Sequence, residues 1–261
     1  MREATYIPEI KLGAKIPDTE FHRKLREDFK VFLWYLHQHL GLPDPTTLQY
    51  DIADFLQYGP KRSVIQAFRG IGKSHITVGF VVWCLLRNPQ YKVMVVSASK
   101  ALADDFSTFV QRLIWEMEGL EYLIPDPTQR QSKITFDVGP AIADKSPSVK
   151  SVGINGQLTG SRADLIVADD IEVLNNAFTQ SARDKLAEQV KEFDAVLKPL
   201  QESRIIYLGT PQTEDSLYTK LPDRGYTVRI WPARMPNDKL VELYGEALAP
   251  FITALGRSVG Q

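Results

Sequence analysis

Ala67-Phe68-Arg69-Gly70-Ile71-Gly72-Lys73-Ser74 is the stretch on which the fold turns. A loop that wraps phosphate needs glycines so that backbone N–H groups can close on the anion, a lysine for the β/γ charge, and a hydroxyl to ligate magnesium. Gly70, Gly72, Lys73 and Ser74 supply those parts, and Ala67 stands where the G-x-x-x-x-G-K-[ST] pattern has its first glycine. The flanks agree with the motif. Before it, Ser63-Val64-Ile65-Gln66-Ala67-Phe68 is short, apolar and partly β-branched, which predicts a buried strand. After it, Ile76, Val78, Phe80, Val81, Trp83, Leu85 and Leu86 follow Lys73 until Asn88-Pro89, which predicts a largely buried helix. A helix starting there adds its dipole and free N–H groups to the phosphate site.

A P-loop NTPase also needs a carboxylate at the end of a second buried strand. Asp164-Leu165-Ile166-Val167-Ala168-Asp169-Asp170-Ile171-Glu172 has four apolar residues followed by acids, a Walker B pattern. Its distance from the loop leaves room for intervening strand and helix units of an α/β sheet. Asp169 is the expected magnesium ligand. Asp170 and Glu172 compete for the group that orients the attacking water, and they share a face if the strand stays extended. A third strand, Arg204 to Leu208, runs into Gly209-Thr210-Pro211. Ligands of open α/β sheets gather at the carboxyl ends of strands, so Thr210 is within reach of the γ-phosphate or the water.

Composition frames these motifs. The 261 residues are 44% hydrophobic and 24% charged, enough for one substantial core. Cys84 is the single cysteine and lies in the apolar run after the loop, so it reads as a buried thiol without a disulfide framework. His22, His37, His39 and His75 offer no zinc spacing and read as surface or packing residues. The longest apolar stretch, Val78 to Leu86, is far below the ~20 residues that span a bilayer, and Met1-Arg2-Glu3 opens no secretory signal. The formal net charge of -1 confines any contact with nucleic acid to a local patch.

Along the chain, helical periodicity is expected over Phe21 to Leu40 and from Thr46 or Thr47 through Leu56. A strand over Tyr91 to Ser97 precedes a helix capped by Ser99. Lys133 to Val138 and Ser148 to Val152 read as short strands, Thr179 to Leu197 as one charged helix, and Tyr226 to Trp231 as the last strand. Leu240 to Leu255 reads as a helical linker.

In combination, L-Q-Y at Leu48 to Tyr50, A-F-R-G-I-G-K-S, L-I-V-A-D-D-I-E and L-G-T-P resemble the ATPase half of the large terminase subunit of tailed bacteriophages, most closely of short-tailed phages. The resemblance runs from about Leu48 to about Arg234. It implies an α/β P-loop NTPase fold of the ASCE, RecA-like type, a mainly parallel sheet flanked by helices, with an N-terminal helical segment. It implies ATP and Mg2+ as cofactors, with Gln49 at the adenine and the run from Ala67 through Ser74 and His75 around the phosphates. Arg69 matches an arginine directed at the γ-phosphate, and Thr210 the motif coupling hydrolysis to movement. Arg162 is a candidate to reach the site of an adjacent subunit. The family commonly has Asp-Glu where this chain has Asp169-Asp170.

The implied activity is translocation of double-stranded DNA into a procapsid, in the cytoplasm of an infected bacterial host. The implied partners are the portal protein, the small terminase subunit and further copies in a ring, a pentamer by family resemblance, with no membrane. The expected organisation is a helical segment over 1–60, an ATPase core over 61–234 and a linker over 235–261 toward a nuclease domain absent from this chain. Two other readings stay open: a helicase-like translocase that does not package, and a nucleotide-binding scaffold that does not hydrolyse.

Overall fold

The computed structural model describes residues 17–212 and 215–259, with side chains described to residue 255. The Met1-Arg2-Glu3 start, the rest of residues 1–16 and residues 260–261 lie outside the described residues. Three helices come first: α1 (Glu20–Glu27), α2 (Phe29–His39) and α3 (Thr47–Tyr58). The single helix expected over Phe21 to Leu40 is two. Asp28 takes an extended conformation (φ -131, ψ 120) and its carboxylate accepts from Lys30 N, so it ends α1 and caps α2.

The α/β body follows, with β1 (Arg62–Ala67), α4 (Lys73–Arg87), β2 (Val93–Ser97), α5 (Lys100–Glu116), β3 (Thr135–Phe136), β4 (Val149–Gly153) and β5 (Leu165–Asp169). Then come α6 (Leu174–Ala177), α7 (Gln180–Gln189), α8 (Glu192–Val196), β6 (Arg204–Leu208), α9 (Leu217–Lys220) and β7 (Thr227–Trp231). Helices α10 (Asp238–Tyr244) and α11 (Pro250–Val259) close the described chain. The charged helix expected over Thr179 to Leu197 breaks near Val190, where the chain turns to drive Phe193 and Val196 into the core. The expected strand over Lys133 to Val138 shrinks to two residues.

The sheet order is β3-β4-β2-β5-β6-β1-β7, parallel throughout except for the antiparallel β3–β4 pair. Side chains alternate faces along each strand, and two apolar layers result. Ile65, Val95, Val167 and Ile206 pack under α2, α4 and α5, whereas Val64, Met94, Ile166 and Tyr207 pack against Leu186, Phe193 and Tyr218 of α7, α8 and α9. Helix α4 is buried from Ile76 through Leu86, and each fully buried Leu, Val or Phe stabilises by roughly 1.5–3 kcal/mol. A Cβ on Gly79 would lie 2.6 Å from Leu36 Cδ2, so any larger residue there would displace the Leu36 side chain where α2 crosses α4. Trp83 donates its indole N–H to the Leu25 carbonyl at 2.9 Å and ties α4 to α1.

At the sheet edge, β7 carries a partial cover. Leu248 bridges Ile230, Ala249 N donates to Ile230 O at 3.0 Å, and Leu248, Ala249 and Ile252 are buried. The helix expected over Leu240 to Leu255 is thus interrupted at Gly245 and docks on the core instead of running free.

Candidate functional site

The strand register sets the site. Ile65, Leu208, Asp169 and Ser97 stand level across β1, β6, β5 and β2, all near the strands' carboxyl ends. The glycine loop leaves β1, the acids end β5 and Thr210 follows β6, so three chain segments far apart in sequence meet on one rim. The strand β6 lies between the loop strand and the acid strand.

Gly70 (φ 92) and Gly72 (φ 84) are both left-handed, a conformation that L side chains rarely adopt, and Gly72 caps α4. Ala67 is buried at the end of β1, and its carbonyl accepts the Lys73 ammonium. Phe68 N donates to Trp231 O at 3.3 Å, while Ile71 is buried in the core. The loop is therefore pinned at its start and its middle. Arg69 and Ser74 are exposed. His75 stands aside from the phosphate rim, its ring edge-on to Phe109 of α5 at 5.4 Å, and burial lowers its pKa.

Gln49 joins the N-terminal helices to the loop. Thr46 caps α3 and Gln49 completes the capping box, its Oε1 accepting from Thr46 N at 2.7 Å. Its Nε2 donates to the Ile71 carbonyl at 2.9 Å. Asp51, half a turn further on, accepts the Trp231 indole N–H at 2.8 Å, so α3 grips the loop and the strand beside it together. Trp231 and Asp51 carry no sequence signal that separates them from ordinary packing residues.

At the end of β5 the chain does not stay extended. Asp170 has φ 43, the one described non-glycine residue with positive φ, and such an outlier beside a ligand rim is a mark of a functional turn. Asp170 N donates to Leu208 O at 2.8 Å. The shared face expected for Asp170 and Glu172 is thereby lost. Asp170 borders a cavity of about 420 Å³ with Arg69, Lys73, Leu102, Asn175, Thr210 and Gln212. Glu172 also borders it but is 2% exposed, its carboxylate taken by Gln212 N at 3.1 Å, Ser216 Oγ at 2.7 Å and Leu217 N at 2.6 Å.

Burial and the neighbouring Asp170 push the Asp169 carboxyl up to about 7, against the pull of Lys73. Burial lowers the Lys73 pKa, with Asp170 and Asp169 opposing. Ser74 and Asp169 offer one hydroxyl and one carboxylate, hard oxygen donors suited to magnesium that keeps phosphate and water as its other ligands. Among the described residues no group of three or more His, Cys, Asp or Glu is placed to hold a metal.

Arg162 is not brought to this rim. It precedes β5, at the opposite end of the strand from Asp169, and its guanidinium donates to the Ala195 carbonyl. At ~3.3 Å per strand residue it stands roughly 20 Å from the acids of its own chain.

A glycine loop at the end of one parallel strand, acids at the end of another and a threonine after the strand between them define a P-loop NTPase. No protein-family model matches the chain. Over 232 residues it is 56% identical to a terminase large subunit of Enterobacteria phage T3, a span covering 88% of this chain and 40% of that protein. Across that span the chain is similar to a terminase large subunit, and it covers about two-fifths of the length of this curated relative. Among solved structures, the HK97 bacteriophage large terminase has a TM-score of 0.53 at 12% identity, over 87% of this chain and 43% of that one. A chain of the S. cerevisiae Dbp5–Gle1 complex has a TM-score of 0.51 at 14% identity, over 85% and 54%. At such identities both likenesses show the fold alone. No described helix is long and apolar enough to cross a membrane.

Proposed function

We propose that this chain is the ATPase motor part of a terminase large subunit, coupling hydrolysis of Mg-ATP to movement of double-stranded DNA into a procapsid. One observation carries the reading. In a chain 56% identical to a terminase large subunit, Arg69, Lys73, Asp170 and Thr210 border one cavity at the carboxyl ends of adjacent parallel strands.

The roles follow from position. The N–H groups of Gly70 to Ser74 and the start of α4 close on the phosphates. Lys73, which rests on the Ala67 carbonyl, turns to the β/γ oxygens, and the exposed Arg69 meets the γ-phosphate. Ser74 and Asp169 hold magnesium, which neutralises phosphate charge when bound. Asp170 accepts a hydrogen bond and then a proton from the attacking water, whose oxygen bonds the γ-phosphorus as that phosphorus parts from the β–γ bridging oxygen to give ADP and phosphate. Thr210, level with the γ position, reads the outcome. Gln49, held against Ile71, faces the adenine side. Arg162, remote from its own site, serves a neighbour's, which fits copies arranged head to tail in a closed ring.

Double-stranded DNA, the portal protein and the small terminase subunit are the proposed partners, with a pentameric ring on the portal and action in the cytoplasm of the infected host. The test pairs steady-state phosphate release with protection of DNA from nuclease by procapsids. Hydrolysis stimulated by procapsids and portal-dependent protection are expected. Nucleotide binding without phosphate release would leave a scaffold, and stimulation by free DNA alone would leave a translocase that does not package.

A further inference from the structure

Glu172 is a buried carboxylate that the hydrolytic scheme leaves without a task. Both of its oxygens are occupied, Oε1 by Gln212 N and Ser216 Oγ and Oε2 by Leu217 N. Its own N–H donates to Tyr218 Oη at 3.4 Å, and that phenol lies 3.5 Å from the Leu208 carbonyl. Ser216 Oγ in turn accepts from Tyr218 N at 3.1 Å, so one serine serves both the carboxylate and the start of α9. On the other side, Gln212 Nε2 donates to the Thr210 carbonyl at 2.9 Å. The turn after β5 and the segment after β6 are thus joined through a single side chain.

A group that takes a proton from water needs a lone pair directed at that water. Glu172 already accepts from three donors that follow β6, at least one on each oxygen, and hydrogen bonds to a carboxylate are among the stronger ones in proteins. Asp170, two residues earlier and held at positive φ, is the acid left facing the cavity.

We propose that Glu172 is a positioning residue, a strut that locks the Asp169–Asp170 turn to the Thr210–Gln212 segment so that carboxylate and threonine meet the γ-phosphate as one rigid unit. The proposal rests on the assignment of Asp170 to the attacking water. A displacement of about 1 Å at such a site can cost on the order of 100-fold in rate, so a strut in the wall of the cavity has catalytic leverage without taking part in the reaction itself.

Single-turnover ATP hydrolysis, nucleotide affinity and melting temperature, measured on the full chain, test the strut. Glu172→Gln keeps the size but turns an N–H2 toward Leu217 N, and Ser216→Ala removes one donor without altering any acid. Both are expected to slow hydrolysis, about 10-fold and about 3–10-fold, with nucleotide affinity kept within about twofold. The double variant should be no slower than Glu172→Gln, because both changes cut the same link, and Ser216→Thr should restore the rate. The acid limb of the pH–rate profile should survive in both single variants. A hundredfold loss in Glu172→Gln beside a wild-type rate in Ser216→Ala would overturn the proposal, as would loss of the acid limb. So would rates that fall only in step with melting temperature and affinity, without repair by Ser216→Thr. Near-wild-type hydrolysis in Asp170→Asn would instead sink the assignment on which the proposal rests, whatever the Glu172 series shows.

Discussion

Replacing Asp169 by asparagine should stabilise the nucleotide-free protein while abolishing magnesium-dependent turnover. The carboxyl is raised from its ordinary 3.8 to about 7, first by burial and then by Asp170. A carboxylate whose pKa is raised in the fold favours folding when protonated. Its contribution is complete below about pH 4 and is lost as pH climbs through 7. The shift of about three units corresponds to at most about 4 kcal/mol at 1.36 kcal/mol per unit. Solvent at the cavity mouth and the charge shared with Asp170 reduce this to ~1–2 kcal/mol. For a chain of this size 1 kcal/mol moves Tm by about 2–4 °C, so Asp169→Asn should melt roughly 2–8 °C above wild type at pH 8. The advantage should shrink toward zero as pH falls to 4. Thermal melts in EDTA without nucleotide, taken from pH 4.5 to 8.5, are the assay. A variant that melts below wild type at pH 8, or a gap that does not change with pH, would falsify the electrostatic account of this acid pair.

Three further outcomes are expected. Lys73→Ala should remove most ATP turnover with Tm within a few degrees of wild type, because the ammonium rests on a loop carbonyl and supports no core packing; phosphate release near the wild-type rate would refute the loop assignment. Gly209→Ala should destabilise by about 1–3 kcal/mol or more, since a Cβ there would lie 2.2 Å from the buried Tyr218 ring; denaturant melts check this, and Gly209→Ala combined with Tyr218→Phe tests whether the phenol oxygen accounts for part of the cost. Incubated with plasmid and magnesium or manganese, the purified chain should not cut DNA, and cutting that disappears on mutating its own acids would contradict the motor assignment.

What could be read in advance was local. The strand before the glycine loop, the loop itself and the buried helix after it are contiguous, so apolar periodicity and backbone chemistry suffice to place them. The acid strand was legible for the same reason. The helix break at Asp28 is hidden from periodicity because apolar spacing runs straight through it, although an aspartate before Phe29-Lys30 is a cap signal in its own right. The break near Val190 has no such signal and is imposed by the burial of Phe193. Strand order is a property of crossovers and had no local trace, and neither did the positive φ of Asp170, on which the separation of Asp170 from Glu172 depends. Asp51 and Trp231 are 180 residues apart in sequence, and only the closed fold shows that they steady the loop together.

The cover on β7 bears on how this protein can be dissected. Motif reading places the end of the ATPase core near Arg234, yet the backbone that meets the outer side of β7 comes from Leu248 and Ala249. A chain cut at 234 would keep every group on the nucleotide rim and still expose a strand with unanswered N–H and C=O groups, a template for edge-to-edge association with other molecules. Such a fragment should clump at high concentration, and its low solubility would be mistaken for a failure of the ATPase fold. Keeping residues through Ile252 leaves the edge dressed, and comparing the two lengths by light scattering separates a sticky border from an unstable core.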